Sequence, residues 1–243
     1  MPGLNMTTPE TSLPMIGAPD SPVLIDVCID EDFALDPRLI PGAFRHPFTD
    51  IEALAPDLIG REVVIICQKG LKLSQGAAAL LRAHGVSATA LTGGMVGWAA
   101  LNFPAIAVAS MPTPRIVAAE RPSPDALAAL WLIRRFVRSD ATVLFTAADT
   151  VDAVADRFDA TPLNSFPDLL RQFGLTQPSL TQLAGVITGE APEAGGLAAM
   201  LAGLRALHPD DLAYMTACLP LFDALHRAFL DVSDASMPEG AAK

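Results

Sequence analysis

Apolar side chains fall in four short runs along the first hundred residues, each closed by a turn signal. Glu62 to Cys67 holds Val63, Val64, Ile65 and Ile66 in succession, which predicts a strand covered on both faces. Val23 to Val27 (Val-Leu-Ile-Asp-Val) predicts a shorter buried strand. Ala43 to His46, set up by Pro41-Gly42, is a weaker one, and Ser87 to Leu91 is the last. The stretches between them read as helices. Ser74 to His84 repeats Ala77, Leu80 and Leu81 at helical spacing and stops at Gly85. Asp50 to Leu58 and Met95 to Leu101 are shorter. Strands alternating with helices predict an α/β unit with a parallel sheet flanked by helices.

The pattern changes past residue 104. Residues 1–21 are proline-rich and read as a flexible lead-in to an α/β domain at 22–106. A second proline-rich stretch marks a linker at 107–122, containing a short strand at Arg115 to Ala118. Residues 123–243 then predict a second, mainly helical domain. Ser123-Pro124 opens its first helix as an N-cap followed by proline, with Leu127, Leu130, Trp131 and Phe136 on the apolar face. Further helices are predicted at Val151 to Phe158, Asp168 to Phe173, Ser179 to Ile187, Gly196 to Leu207 and Asp210 to Phe229. Ala141 to Thr146 is the one clear strand among them.

Composition narrows the choice of partner. The 243 residues are 51% hydrophobic with a mean hydropathy of +0.38, which excludes disorder along the whole chain. Lys and Arg number 16 against 27 Asp and Glu, a net charge of −11. Such a balance argues against nucleic acid or an anionic membrane as partner, because phosphate binding needs clustered positive charge. No apolar run approaches the length of a bilayer span. The first twenty residues lack a secretory signal, and three cysteines are too few for a disulfide framework. A cytoplasmic location is the expectation.

The chemistry concentrates in Cys67-Gln68-Lys69-Gly70-Leu71-Lys72, between the strongest strand and a helix. The carboxyl end of a parallel strand is where α/β sheets place their ligands. Gly70 lets the backbone curl, so that successive N–H groups can form an anion cradle. The following helix adds the positive end of its dipole, and Lys69 and Lys72 add full charges. Each influence favours thiolate, a nucleophile for electron-poor sulfur. A cysteine that merely ends a core strand is the structural alternative.

At this point the sequence resembles the rhodanese-like sulfurtransferases. The matching blocks are Leu24-Ile25-Asp26-Val27, Leu39-Ile40-Pro41-Gly42-Ala43, the Cys67 loop, and Leu91-Thr92-Gly93-Gly94-Met95-Val96-Gly97-Trp98, in the family's order. The resemblance implies that Cys67 accepts a sulfane sulfur as a persulfide from a small anionic donor such as thiosulfate. The sulfur then passes to a thiol or cyanide, and no cofactor or metal is needed. Gln68, Lys69, Gly70, Leu71 and Lys72 would hold the substrate. Cysteine phosphatases place arginine six positions after the cysteine. Here that position is Leu73 and the cation comes one residue earlier, at Lys72, which fits the smaller sulfurtransferase ring. Where the family often has arginine, Lys72 keeps the charge without the bidentate fork. The family also commonly has arginine after Asp-Val, where this chain has Cys28. Cys28 ends a strand at the same sheet edge and is a candidate resolving thiol.

In the second half, Trp131-Leu132-Ile133-Arg134-Arg135-Phe136 and Leu221-Phe222-Asp223-Ala224-Leu225 resemble the C-terminal domain of chromate-resistance proteins, over roughly residues 115–230. That family carries a His- and Cys-containing segment where Asn164 to Gly174 has neither. Arg134, Arg135 and Arg138 read as a solvated helix end. His208 and His226 read as structural histidines without metal-ligand spacing, and Cys218 as a core residue. The expected activity is sulfur transfer. The rival is a non-catalytic sensor or regulatory adaptor for oxidant or oxyanion, linked to chromate or sulfur stress.

Overall fold

The structure, a computed structural model, describes residues 5–235. The ends of the two outer segments expected from the sequence, residues 1–4 and 236–243, lie outside the described residues. The chain divides into two compact units: the residues up to Met111 together with Phe136–Arg138 form the first, and Pro112–Arg135 with the residues from Ser139 onward form the second.

The first unit contains β1 (Met6–Thr7), α1 (Pro9–Ser12), β2 (Val23–Asp26), α2 (Asp30–Leu35), β3 (Arg38–Leu39) and β4 (Phe44–Arg45). A 3-10 stretch, Phe48–Leu54, leads into α3 (Ala55–Leu58). Then come β5 (Glu62–Ile66), α4 (Lys72–Ala83), β6 (Ser87–Leu91), α5 (Gly94–Ala100) and β7 (Ile106–Ala107). Five strands form one sheet in the order β1-β6-β5-β2-β4, with every neighbouring pair parallel. β5 lies at its centre, as its unbroken apolar run requires, and Val63 to Ile66 are all buried. Ile25, Ile65, Ala78, Leu81 and Ala90 pack together in the core. Arg38–Leu39 pairs antiparallel with Ile106–Ala107 as a separate ribbon.

Two features depart from the sequence expectation. The stretch read as a flexible lead-in carries β1, in which Met6 and Thr7 pair with Ala90 and Leu91 of β6. Its backbone covers the open edge of β6, which would otherwise present unpaired amides to solvent. The Thr8 side chain then caps α1 by accepting from the Thr11 N–H. The second departure is α2, too short to show a helical period. Asp30, Glu31 and Asp32 occupy its first turn, where negative charge meets the positive end of the helix.

The second unit runs β8 (Arg115–Ala119), α6 (Pro124–Leu132), β9 (Thr142–Thr146), α7 (Val151–Phe158), β10 (Thr161–Pro162), α8 (Phe166–Phe173), α9 (Pro178–Thr188), α10 (Ala194–Leu207) and α11 (Asp211–Ala235). It is mainly helical, around a parallel sheet of order β10-β8-β9. The strand expected inside the linker is thus β8, the central strand of this sheet. Prolines at 112, 114 and 122 bracket it and give the stretch its linker-like composition. Ser123 caps α6 by accepting from the Ala126 N–H. Trp131 is fully buried, with Phe166 and Phe222 at ring-centroid distances of 6.5 and 6.2 Å. No helix among the described residues is long and apolar enough to cross a membrane.

Candidate active site

Cys67 follows the last residue of β5, and the loop after it enters α4 at Lys72. Its path is fixed from below by the turn that opens α5. The Met95 N–H donates to the Cys67 carbonyl at 3.1 Å, and the Val96 N–H to the Gln68 carbonyl at 3.0 Å. Such close approach needs glycine. Gly70 and Gly94 have φ of +66° and +56°. A side chain at Gly94 would strike the Cys67 carbonyl oxygen and the Gly70 nitrogen, and one at Gly70 would strike the Leu91 carbonyl oxygen. Two of the motif blocks in the sequence therefore meet as backbone packed on backbone.

The Cys67 thiol donates to the Ser74 hydroxyl at 3.1 Å, and that hydroxyl donates to the Leu71 carbonyl at 3.2 Å. Ser74 is fully buried in the first turn of α4, so the bond is shielded from water. Ser74 is the residue that the sequence pattern alone does not single out. The available signal is its place at the head of the helix that follows the cysteine. Among the described residues, no backbone N–H from 68 to 74 donates to a protein acceptor. Lys69, Leu71 and Lys72 are exposed, Gln68 is half-buried, and Cys67 itself is 5% exposed.

Cys28 follows β2 at the same end of the sheet, where Asp26 is in register with Ile66. Its N–H donates to Asp26 Oδ1 at 2.8 Å. Its carbonyl accepts from Arg45 Nη2 at 2.9 Å, and Arg45 also pairs with Asp30 at 2.8 Å and lies 4.0 Å over the Phe33 ring. Burial pushes the Cys28 thiol far up, and the neighbouring Asp26 carboxylate adds to the shift. That shift disfavours the thiolate form of Cys28, and both cysteines are free thiols. Burial also raises Asp26, although the Cys28 N–H and Arg45 oppose the shift.

In the second unit, Asp223 is buried between two donors. Trp131 Nε1 donates to its Oδ1 at 2.8 Å, while Arg135 bonds both oxygens, Nε to Oδ1 at 2.8 Å and Nη2 to Oδ2 at 2.7 Å. Arg135 is therefore not part of a solvated helix end, as its neighbours in sequence suggest, but is the ion-pair partner of a core carboxylate. His226 is 2% exposed with its ring 5.5 Å from that of Trp131, edge to face. His208 is half-buried at the end of α10. Cys218 is buried, and burial pushes its thiol up to about 11. Among the described residues no group of three or more His, Cys, Asp or Glu side chains could hold a metal ion.

A parallel sheet that carries a cysteine loop at its carboxyl edge, clamped by a Gly-Gly turn, defines a rhodanese-like domain, and residues 9–101 match the family model of that description. Residues 117–229 match the model described as ChrB, C-terminal domain. The chain thus joins a rhodanese-like domain to a ChrB-type C-terminal domain. Similar solved structures include a rhodanese-like domain protein from Staphylococcus aureus, 26% identical over 39% of this chain and 91% of its own, with a TM-score of 0.32. SSP1007 from Staphylococcus saprophyticus is 25% identical over 39% of this chain and 93% of its own, with a TM-score of 0.34. A thiosulfate sulfurtransferase from Pseudomonas aeruginosa is 26% identical over 43% of this chain and 19% of its own, with a TM-score of 0.37. No curated protein matches the chain.

Proposed function

We propose that the first unit is a sulfurtransferase that carries a sulfane sulfur on Cys67. The observation that carries this reading is the pairing of Cys67 with Ser74, next to a run of main-chain N–H groups from 68 to 74 without protein acceptors among the described residues. Loop amides left unpaired beside a sulfur suit a guest anion, because unmet donors are otherwise costly. In the proposed cycle the Cys67 thiolate attacks the outer sulfur of thiosulfate. The sulfur–sulfur bond of the donor breaks and sulfite leaves with its electron pair. Cys67 is left as a persulfide, which the loop amides hold. Lys69 and Lys72 draw in the anionic donor, and a thiol or cyanide then removes the outer sulfur and regenerates the thiolate. The upward shift of the Cys28 thiol by burial disfavours it as a resolving group in the resting state.

A non-catalytic reading is favoured by one observation. Cys67 is only 5% exposed, so little of its sulfur is open to a donor. In that reading the loop registers an oxidant or oxyanion and the ChrB-type domain relays the event. Thiosulfate:cyanide turnover separates the two. Turnover that disappears in Cys67→Ser supports the transferase, and its absence from the wild-type chain supports the sensor.

A further inference from the structure

A cavity of about 250 Å³ opens beside the Cys67 loop, within the first unit. It is lined by Gln68, by Met95, Val96 and Ala99 of α5, by Asp32, Phe33 and Leu35 of α2 with Asp36 just after its end, and by Cys28. Its rim is apolar and open to solvent: Leu35 is 78% exposed and Val96 55%. Large apolar side chains held in water around one opening mark a contact surface rather than a finished one.

The charge on this surface has a definite sign. No Lys or Arg lines the cavity, while Asp32 and Asp36 both do. Arg38 holds the Asp36 carboxyl below the usual carboxylate range through a 2.6 Å ion pair, so part of its charge is answered. Among the described residues Asp32 has no ion-pair partner, and the exposed Glu31 beside it adds to the negative field. Thiosulfate, sulfite and cyanide gain nothing from two carboxylates and an apolar rim. At about 250 Å³ the cavity also falls below the usual size of a small-molecule pocket, and it suits one apolar side chain as an anchor.

We infer that this groove docks the sulfur acceptor, and that the acceptor is a cysteine in a protein segment flanked by an apolar and a basic side chain. The inference rests on the persulfide reading of Cys67. The apolar side chain fills the cavity between Phe33 and Val96, and the basic one pairs with Asp32. The acceptor thiolate attacks the outer sulfur of the Cys67 persulfide. One sulfur–sulfur bond forms as the other breaks, the Cys67 thiolate leaves with the electron pair, and the acceptor becomes the persulfide. No external oxidant or reductant enters. Donor and acceptor then differ in the charge that guides them: the anion is drawn by Lys69 and Lys72, the basic segment by α2.

The test uses the full chain and two synthetic peptides. One has a single Cys between Leu and Lys residues, and the other has Glu in place of each Lys. Loading of Cys67 is followed first, by intact mass after thiosulfate, and discharge by each peptide and by glutathione second. A fluorescent Ser analogue of each peptide reports binding without any transfer. The basic peptide is expected to bind and discharge about tenfold better than the acidic one, the span of one favourable against one unfavourable charge contact. Asp32→Lys should abolish or invert that preference, Leu35→Ser should weaken both peptides, and neither should alter loading by thiosulfate. Equal binding of the two peptides, or a preference unchanged in Asp32→Lys, overturns the docking groove while leaving the persulfide intact. Failure of wild type to gain one sulfur overturns the transfer reading itself, whatever the peptides do in the binding assay.

Discussion

The Cys67 sulfur and the Ser74 hydroxyl lie 3.1 Å apart, seven positions along the chain and both out of water. The contact bridges a strand end and the first turn of the next helix, so it also ties down the loop between them. If Cys67 reacts as a thiolate, the Ser74 hydroxyl can turn and donate to it. A hydrogen bond to a charged group contributes about 1.5–3 kcal/mol, so Ser74→Ala should slow persulfide loading by about 10- to 100-fold. Ser74→Thr should recover part of the rate. Single-turnover sulfite release measures both, and wild-type loading in Ser74→Ala would show that the bond is only structural.

The glycine turn under the loop makes a prediction about stability. Gly94→Ala adds a methyl group against the Cys67 carbonyl in a backbone conformation of φ +56°. It should cost at least about 2 kcal/mol in urea unfolding. Gly76, in α4, faces open space with nothing within 4 Å of an added Cβ. Gly76→Ala should therefore raise stability by about 0.5–1 kcal/mol through helix propensity. Equal effects at the two positions would contradict the packing described.

Removing Arg135 leaves the Asp223 carboxylate in the core. Breaking a buried pair on one side costs about 3–5 kcal/mol, and here Trp131 still donates to Oδ1, which places Arg135→Ala nearer about 2–3 kcal/mol. The exposed pair Arg171–Asp168 is the control, and Arg171→Ala should cost less than about 1 kcal/mol. Chemical denaturation of the two variants gives the comparison directly.

Asp26 predicts a pH slope of a particular sign. Burial raises its pKa, so the folded state keeps a proton that the unfolded chain releases near the ordinary carboxylate value. The contribution of this group is complete below that value and declines as the pH rises toward and through the raised one. Asp26→Asn has no such proton to lose. Its stability should gain on wild type as the pH climbs above the unfolded carboxylate pKa of about 4. A variant that loses ground to wild type on the same climb would reverse the assignment.

What the sequence disclosed follows from the length of each signal. β5 is an unbroken apolar run, β6 begins and ends where its pattern does, and α7 occupies Val151–Phe158 as its spacing predicts. The Cys67 loop stands out because a strand end, a glycine and two lysines are contiguous. β1 and β10 are two residues long and exist only because a neighbouring edge accepts them, so no local pattern marks them. β8 is concealed by flanking prolines. Arg135 and Asp223 are 88 positions apart, and Ser74 acts through a contact rather than a motif. Pairings of that kind belong to the tertiary fold and leave little trace in neighbouring residues.

The hold of α5 on the Cys67 and Gln68 carbonyls reaches further than anchorage. A trans peptide unit is planar, with its C=O and the next N–H on opposite sides. Once Met95 and Val96 have fixed those two oxygens, the N–H groups of Gln68 and Lys69 must point the other way. The polarity of the loop is thus dictated by a turn some twenty-five positions downstream in the chain. A backbone change at Thr92 or Gly93 could swing those donors out of line and silence the sulfur site with every residue from Cys67 to Lys72 unaltered.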